Sequence, residues 1–227
     1  MAKFDGFHKE TIKFLAGLAR KNEKTWFDNH RADYENHLIE PAKGFVVAMG
    51  KELRKISKGI VAEPQINKAI RRINRDVRFS KDKSPYKTHL DMIFREEDSS
   101  GCGSSSFFLR MEAKTIWLGV GVHEFPKEAL EKYRQAVVDK EGGPELASAI
   151  KKVSKAGYEV GSSHYKRVPR GFDPEHRNAE FLLYNALHAV LKTKVPPEFT
   201  SSKFVGFCSS HYKKVTPVHQ WLMKWIG

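Results

Sequence analysis

Residues 107–122 read FFLRMEAKTIWLGVGV. Apolar side chains alternate with other residues over 107–111 and again over 116–122. A period of two is typical of strands with one buried face, and the short connection between the two runs predicts an antiparallel hairpin. Residues 90–94 alternate in the same way just upstream. We therefore predict a central antiparallel sheet in which this hairpin takes the middle position.

Helical periodicity dominates both ends of the chain. Apolar residues recur at intervals of three and four through the N-terminal third, which predicts helices up to Gly59. Pro126 is predicted to open a helix after the hairpin, and residues 146–153 predict another. Asp173 followed by Pro174 predicts the start of a long helix that continues through Val190. The predicted fold class is α+β, with a central antiparallel sheet flanked by helices from the N- and C-terminal parts.

The last quarter of the chain is predicted to end in two helices. Pro196 and Pro197 terminate the long helix predicted before them. Thr216 precedes Pro217, and a hydroxyl cap followed by proline is typical of a helix start. The sequence therefore predicts a break between two final helices at this point.

Length and composition narrow the class of protein. The chain has 227 residues with no repeat and no clear linker, so we expect a single domain over residues 1–227. No apolar run approaches the ~20 residues needed to cross a bilayer, and the start of the chain has no secretory-signal pattern. Only two cysteines occur, Cys102 in a Gly/Ser-rich loop and Cys208, and they form no CxxC pair. We expect a cytoplasmic protein with reduced thiols and no membrane partner.

The positive charge of the chain is concentrated in one stretch. The net charge is +13, and residues 65–95 contain nine Lys and Arg against three Asp. About half of the excess charge therefore lies in roughly a seventh of the chain. A smaller basic cluster, Lys166, Arg167 and Arg170, surrounds Pro169. Clustered positive charge indicates an anionic partner, either an anionic small molecule or nucleic acid.

Residues 71–89, which we call the basic block, read RRINRDVRFSKDKSPYKTH. Arginine offers a planar fork for phosphate or carboxylate, lysine adds point charge, and aspartate can hold neighbouring arginines in one rotamer. The predicted ligand-binding residues are Arg75, Asp76, Arg78, Ser80, Lys81, Asp82, Lys83, Tyr86, Lys87, Arg167 and Arg170.

Three hypotheses for the basic block stay open at the level of sequence. The first is a binding site for a phosphate- or carboxylate-bearing ligand, in which Asp76 and Asp82 orient the cations. The second is an enzyme, a hydrolase or transferase acting on an anionic substrate, with His89 as acid or base. The third is a structural or scaffolding domain, in which the arginines pair with Asp76 and Asp82 and fix the fold.

Other motifs give no competing chemistry. Ser80 and Lys83 match the SxxK motif of penicillin-binding proteins, but the companion motifs of that class are absent from the sequence. Gly119 and Gly121 lack the third glycine of a dinucleotide fingerprint, and the sequence has no phosphate-binding P-loop. The histidines and cysteines show no spacing typical of a zinc site. We predict no cofactor and no metal site from these patterns.

The string RDVRFSKDKSPYKTH at residues 75–89 resembles the signature of domain-of-unknown-function family 2461, a group of conserved hypothetical proteins. Similar stretches lie at residues 14–27, 116–126 and 166–183, so the resemblance covers most of the chain. The sequence departs from the family pattern at Lys21 and Arg177, outside the basic block. The resemblance implies one domain and gives more weight to the basic block, but it implies no activity, substrate or cofactor.

Overall fold

The computed structural model describes residues 4–96, 104–161 and 163–227. Six strands form one antiparallel sheet in the order β1-β2-β3-β4-β6-β5. The strands are β1 (Ile60–Val61), β2 (Leu90–Glu96), β3 (Ser106–Met111), β4 (Thr115–Val122), β5 (Glu159–Val160) and β6 (Leu187–Lys194). The predicted hairpin is β3–β4, and its position at the centre of the sheet is confirmed. Cys102 and the rest of residues 97–103, which form most of the Gly/Ser-rich loop, lie outside the described residues.

Helices occupy the parts of the chain before and after the central strands. They are α1 (Lys9–Arg20), α2 (Lys24–Asn29), α3 (Arg31–Asp33), a π-helix (Tyr34–Ile39), α4 (Glu40–Leu53), α5 (Lys127–Val138), α6 (Gly142–Lys155) and α7 (Lys203–Trp225). Short 3₁₀ turns cover Ala179–Leu183 and Pro197–Thr200. The predicted α+β class is confirmed. No helix in the described ranges has both the length and the apolar character needed to span a bilayer.

Contacts divide the chain into two compact units, which we describe separately. Unit 1 consists of Met1–Phe94, Phe108–Leu118 and Lys192–Ser210. Its helical part is built around buried aromatic rings: Phe7 stacks on Phe199 with ring centroids 5.0 Å apart and meets Phe45 at 5.6 Å. Burial of such large apolar side chains is the main stabilising term for a layer of this kind.

Unit 2 consists of Arg95–Phe107, Gly119–Leu191 and His211–Gly227. Helix α6 begins at Gly142, earlier than the sequence predicts, because both glycines of the Gly142–Gly143 pair lie against the backbone of α5. A Cβ at Gly143 would lie 2.5 Å from the carbonyl oxygen of Val137. The glycines therefore allow close packing at the start of α6, and α5 ends at Val138, ahead of them.

The predicted long helix from Asp173 to Val190 is wrong. Residues 179–183 form a 3₁₀ turn, and the chain then becomes β6, which pairs with β4 and β5. A side chain at Gly119 would overlap the carbonyl oxygen of Ala189, so glycine is what lets β6 come this close to β4. Apolar residues spaced three and four apart suited a helix, but pairing with the neighbouring strands decides the structure.

The predicted break ahead of Pro217 is also wrong, because α7 continues through this residue. The hydroxyl of Thr216 donates to the carbonyl oxygen of Tyr212 at 2.9 Å, as a residue inside a helix does. The apolar face of this part of the helix is buried, with Val215, Val218 and Leu222 almost inaccessible to solvent. Burial of this face offsets the hydrogen bond that proline cannot donate.

We expect Gly121→Ala to destabilise the protein by roughly 2–4 kcal/mol. Gly121 has φ +142°, and an added Cβ would overlap the carbonyl oxygen of Leu187. The matched control is Gly171→Ala, at a glycine that also has positive φ (+92°) but open space around it. The control should lose only about 1 kcal/mol from backbone strain. Urea denaturation measures both, and equal losses would contradict the role of close strand packing.

Candidate functional site

The basic block folds as part of an irregular hairpin along the edge of β2. Asn74 and Tyr86 form one antiparallel bridge, and Ile70 and Met92 form a second. The amide of Arg71 donates to the carbonyl oxygen of Asp91 at 2.9 Å, which extends the pairing between these bridges. The arm formed by residues 70–74 is too irregular to count as a strand, but its hydrogen bonds continue the pairing of the sheet beyond β2.

The N-terminal helices hold this hairpin in place. The side-chain amide of Asn22 donates to the carbonyl oxygen of Tyr86 at 2.8 Å, and its oxygen accepts from the Tyr86 amide at 3.0 Å. The Tyr86 ring is buried and stacks on Phe27, with centroids 4.2 Å apart. Tyr86 was predicted to contact a ligand, but these contacts also give it a structural role that fixes the base of the hairpin.

At the tip of the hairpin, the arginines pair with the aspartates of the same segment. Arg78 makes a two-pronged contact with Asp76, with Nε–Oδ1 at 3.0 Å and Nη2–Oδ2 at 2.7 Å. Arg75 pairs with Asp82, whose carboxylate also accepts from the amide and hydroxyl of Ser84. Both arginines are therefore paired with these aspartates, as the binding hypothesis and the structural hypothesis for the basic block both expect.

The contacts at the tip lower the pKa of both carboxyl groups. Hydrogen bonds from Arg78 hold the pKa of Asp76 below its ordinary value, and hydrogen bonds from Ser84 do the same for Asp82. Both pairs are open to solvent: 76% of the Arg78 side chain and 57% of the Asp82 side chain are accessible, although Arg75 is half-buried. Exposed pairs of this kind are screened by water and contribute little to stability, so the tip is organised without being a buried ion-pair network.

The remaining predicted residues of the tip are exposed or half-buried. Lys81 and Lys83 are exposed, Ser80 is half-buried, and the Lys83 ammonium donates to the carbonyl oxygen of Val77 at 2.9 Å. Phe79 is 94% accessible, beside the Arg78 guanidinium at 5.7 Å from its ring centroid. The tip thus presents cations and one aromatic ring outward.

A second group of charges lies on the face of the sheet that points away from the buried side. Asp91 of β2 and Arg110 of β3 occupy half-buried positions between fully buried neighbours. Arg110 donates to both oxygens of Asp91, from Nε at 2.7 Å and from Nη2 at 3.3 Å. His89 approaches the same carboxylate with Nε2 at 3.4 Å. We call Arg71, Lys87, His89, Asp91 and Arg110 the Asp91 cluster.

The environment of the Asp91 cluster stabilises the charged form of Asp91 and disfavours the charged form of Lys87. Burial alone would raise the pKa of Asp91, but hydrogen bonds from His89 and Arg110 hold it well below its ordinary value. Burial lowers the pKa of the Lys87 ammonium. The charge of Asp91 raises this pKa in part, whereas the charges of Arg71 and Arg110 lower it further. Asp91 thus bonds to two side chains, Arg110 and His89, while Lys87 and Arg71 add positive charge that has no second carboxylate among the residues of the cluster.

A cleft of about 620 Å³ lies on the other side of the hairpin, beside Tyr86. Its walls include Phe27 and Tyr34, with Arg72 and Glu35 among the charged groups. Most other charges at its rim are already paired, as Lys43 is with Glu40 at 2.6 Å. The cleft is therefore lined by aromatic rings and by charges of both signs. Its excess of positive charge is smaller than that of the Asp91 cluster.

The structure brings together only part of the predicted site. Lys87 and His89 lie in the Asp91 cluster, whereas Arg75, Arg78 and the two lysines of the tip lie beyond it in the hairpin. Arg167 and Arg170 are exposed residues of unit 2, and their part in the site stays a prediction. Sequence reasoning missed Arg71, Asp91 and Arg110 as site residues. Strand alternation could have placed Asp91 and Arg110 on one face, but the pairing of the strands was needed to join them.

Unit 2 contains a separate buried polar network. His219 contacts the hydroxyl of Ser105 through Nδ1 at 2.9 Å and the carboxylate of Glu96 through Nε2 at 3.1 Å. The order Ser–His–Glu resembles a hydrolase triad, but all three residues are buried and Ser105 is only 1% accessible. A nucleophile must reach its substrate, so this arrangement fits a structural network. No group of three or more metal-binding side chains occurs among the residues that the structure describes.

Comparison with known proteins identifies the family. The family model described as "Conserved hypothetical protein (DUF2461)" matches residues 10–221, which is most of the chain. This match confirms the resemblance carried by the basic block and by the stretches on either side of it. No curated protein matches the chain.

We expect the stability conferred by His219 to depend on pH. Burial lowers the pKa of His219 below its ordinary value of 6.5, although Glu96 opposes this shift. A lowered pKa in the folded state gives stability that is complete above pH ~6.5 and is lost as the pH falls through the folded-state value. His219→Gln should therefore cost roughly 1–3 kcal/mol at pH 8 and progressively less in acid.

Chemical denaturation between pH 5 and pH 8 measures this difference. Ser105→Ala is the matched control, because it removes one hydrogen bond of the network and leaves the imidazole in place. The control should keep the wild-type pH dependence. A cost of His219→Gln that stays constant over the whole range would contradict the shifted pKa.

Proposed function

We propose a function from the geometry of the Asp91 cluster, because the chain belongs to the family of conserved hypothetical proteins (DUF2461) and that description names no activity. The proposed function is binding of a phosphate-bearing anion at this cluster. The observation that carries it is the contact of Arg110 with Asp91 at 2.7 Å, beside a half-buried Lys87 ammonium on which Arg71 and Arg110 both act electrostatically.

Partial burial strengthens the attraction between this excess positive charge and an anionic ligand. Charges that water surrounds fully are screened, whereas half-buried charges interact more strongly with a ligand. The carboxylate of Asp91 fixes the orientation of Arg110, which leaves less side-chain freedom to be lost on binding. Burial is the main cause of the lowered pKa of Lys87, and the charges of Arg71 and Arg110 add to it; a bound anion would favour the ammonium form and raise that pKa.

The tip of the hairpin supports the same function in a secondary way. Arg78, Lys81 and Lys83 extend the positive field beyond the cluster, although Asp76 already pairs with Arg78. Exposed cations raise the rate at which an anion arrives, with a strong dependence on salt, and add less to its final affinity. We therefore place the binding site at the Asp91 cluster and assign the tip to attraction of the ligand.

A second candidate function is catalysis on the bound anion. The observation that favours it is the contact of His89 Nε2 with Asp91 Oδ2 at 3.4 Å, in a histidine that keeps 21% of its side chain accessible. A histidine held by a carboxylate beside fixed cations has the layout of an acid–base group with charge stabilisation. Hydrolysis of a phosphomonoester that is lost in His89→Gln, with phosphate binding kept, would support this candidate.

We expect Arg110→Ala to weaken the binding of inorganic phosphate by about ten-fold or more, because a charge-assisted hydrogen bond is lost. NMR titration of the wild type should shift the amides of Lys87, His89 and Arg110. Lys151→Ala, at an exposed lysine of α6, removes the same charge far from the cluster in sequence and belongs to unit 2. This control should change the affinity by less than about two-fold.

Arg78→Ala separates the cluster from the tip. The proposal expects a moderate, salt-dependent loss of affinity in this variant and a much larger loss in Arg110→Ala. A large loss in Arg78→Ala with no loss in Arg110→Ala would place the site at the tip. Absence of phosphate binding by the wild type at low salt would overturn the proposed function.

A further inference from the structure

The Asp91 cluster continues across the sheet into an aromatic side chain. The amide of Glu112 donates to the carbonyl oxygen of Thr115 at 2.9 Å, which closes the β3–β4 hairpin. Counting back along both strands from this pair places Arg110 opposite Trp117. Both occupy half-buried positions on the face that carries Asp91. Directly opposed side chains on neighbouring strands are in contact range, so the indole adjoins the cluster.

Two features of Trp117 are unusual for a side chain that serves only packing. The ammonium of Lys192 lies over its ring, 4.3 Å from the ring centroid. Its indole Nε1 is buried and has no hydrogen-bond acceptor among the described residues. An unpaired buried donor has a free-energy cost, and a ligand that supplies an acceptor removes that cost.

We propose that the ligand of the Asp91 cluster is a nucleoside phosphate, whose base stacks on Trp117 and whose phosphate binds between Arg110 and Lys87. This inference rests on the proposed function and specifies its ligand. Neighbouring strands lie ~5 Å apart, so a ligand that reaches from Trp117 to the far side of Asp91 spans two strand spacings. A base joined to its phosphate through a ribose has the length to do so.

The side chains that run from Trp117 to the Asp91 cluster match the two ends of such a ligand in their chemistry. An indole offers the largest stacking surface of any side chain, and stacking accepts every base because each has a π-face. Lys192 is a flexible cation that can leave the ring for a phosphate or ring oxygen while the base takes its place.

The same ligand chemistry has two sources, a free nucleotide and a single-stranded nucleic acid. The exposed tip is relevant to this choice because Phe79 is an exposed aromatic ring among cations. A single strand can use several aromatic rings and phosphate contacts in succession, whereas a mononucleotide uses only one. The source is decided by comparing ligands of the two kinds.

The experiment compares dissociation constants for inorganic phosphate, ribose 5-phosphate and adenosine 5′-monophosphate. The wild type should bind adenosine 5′-monophosphate roughly ten-fold tighter than ribose 5-phosphate, because only the former supplies a base. Trp117→Leu should bind both ligands equally and keep the wild-type affinity for phosphate. Trp117→Phe should retain part of the preference, which separates a stacking role from a defect in folding.

Trp225→Leu is the matched control. Trp225 also lies beside a lysine, with the Lys224 ammonium 5.1 Å from its ring centroid, but its indole Nε1 already donates to Glu145 at 3.0 Å. This variant should keep the full preference for adenosine 5′-monophosphate. Loss of the preference in Trp225→Leu, with retention in Trp117→Leu, would overturn the assignment of the base to Trp117.

The outcomes separate this inference from the function on which it rests. Equal affinity of the wild type for ribose 5-phosphate and adenosine 5′-monophosphate overturns the inference and leaves phosphate binding intact. Failure to bind any of the three overturns both. A single-stranded oligoadenylate that binds at least ten-fold tighter than the mononucleotide, with affinity falling steeply as salt rises, supports a strand as the source. Equal binding of the two supports a free nucleotide.

Discussion

The contact of Asp91 with Arg110 is the interaction on which the candidate site depends. It joins β2 to β3 on the half-buried face of the sheet and uses both oxygens of the carboxylate. His89 approaches the same group, so one acidic side chain orients two potential ligand contacts. Because Asp91 is the partner of Arg110, neither charge is buried alone, which would be strongly unfavourable. The nearby Lys87 and Arg71 then supply positive charge that this single carboxylate does not neutralise.

The basic block combines a structural role with the proposed binding role, in different places. At its tip, each arginine has an aspartate partner within the same short segment, as a structural role requires. At its base, Asn22 and Tyr86 attach it to the N-terminal helices, so that Lys87 and His89 leave the hairpin in a fixed direction toward β2. The charge balance changes along the segment, from paired at the tip to unbalanced at the sheet. This difference, and not the total charge, distinguishes the proposed site from its surroundings.

The sequence predicts the parts of this structure whose periodicity is local. The alternation of residues 90–94, 107–111 and 116–122 identifies three strands, and the charge count identifies the basic block. Contacts that depend on strand pairing were not predictable, because Arg110 and Asp91 are 19 positions apart and only the register joins them. The error at β6 has the same origin: glycines of β4 admit that segment into the sheet, against a helical spacing of its apolar residues. Tertiary pairing overrides local pattern at both places.

The pKa of Lys87 tests the central claim most directly, because this half-buried ammonium responds to Asp91, Arg71 and Arg110 and would respond to an anion bound among them. We expect NMR titration of the Lys87 side chain to give a pKa below the ordinary lysine value of 10.5 in the free protein. Saturating phosphate should raise that pKa, since the bound anion favours the ammonium form. A pKa at the ordinary value that does not change with phosphate would contradict the account of the Asp91 cluster as an anion site.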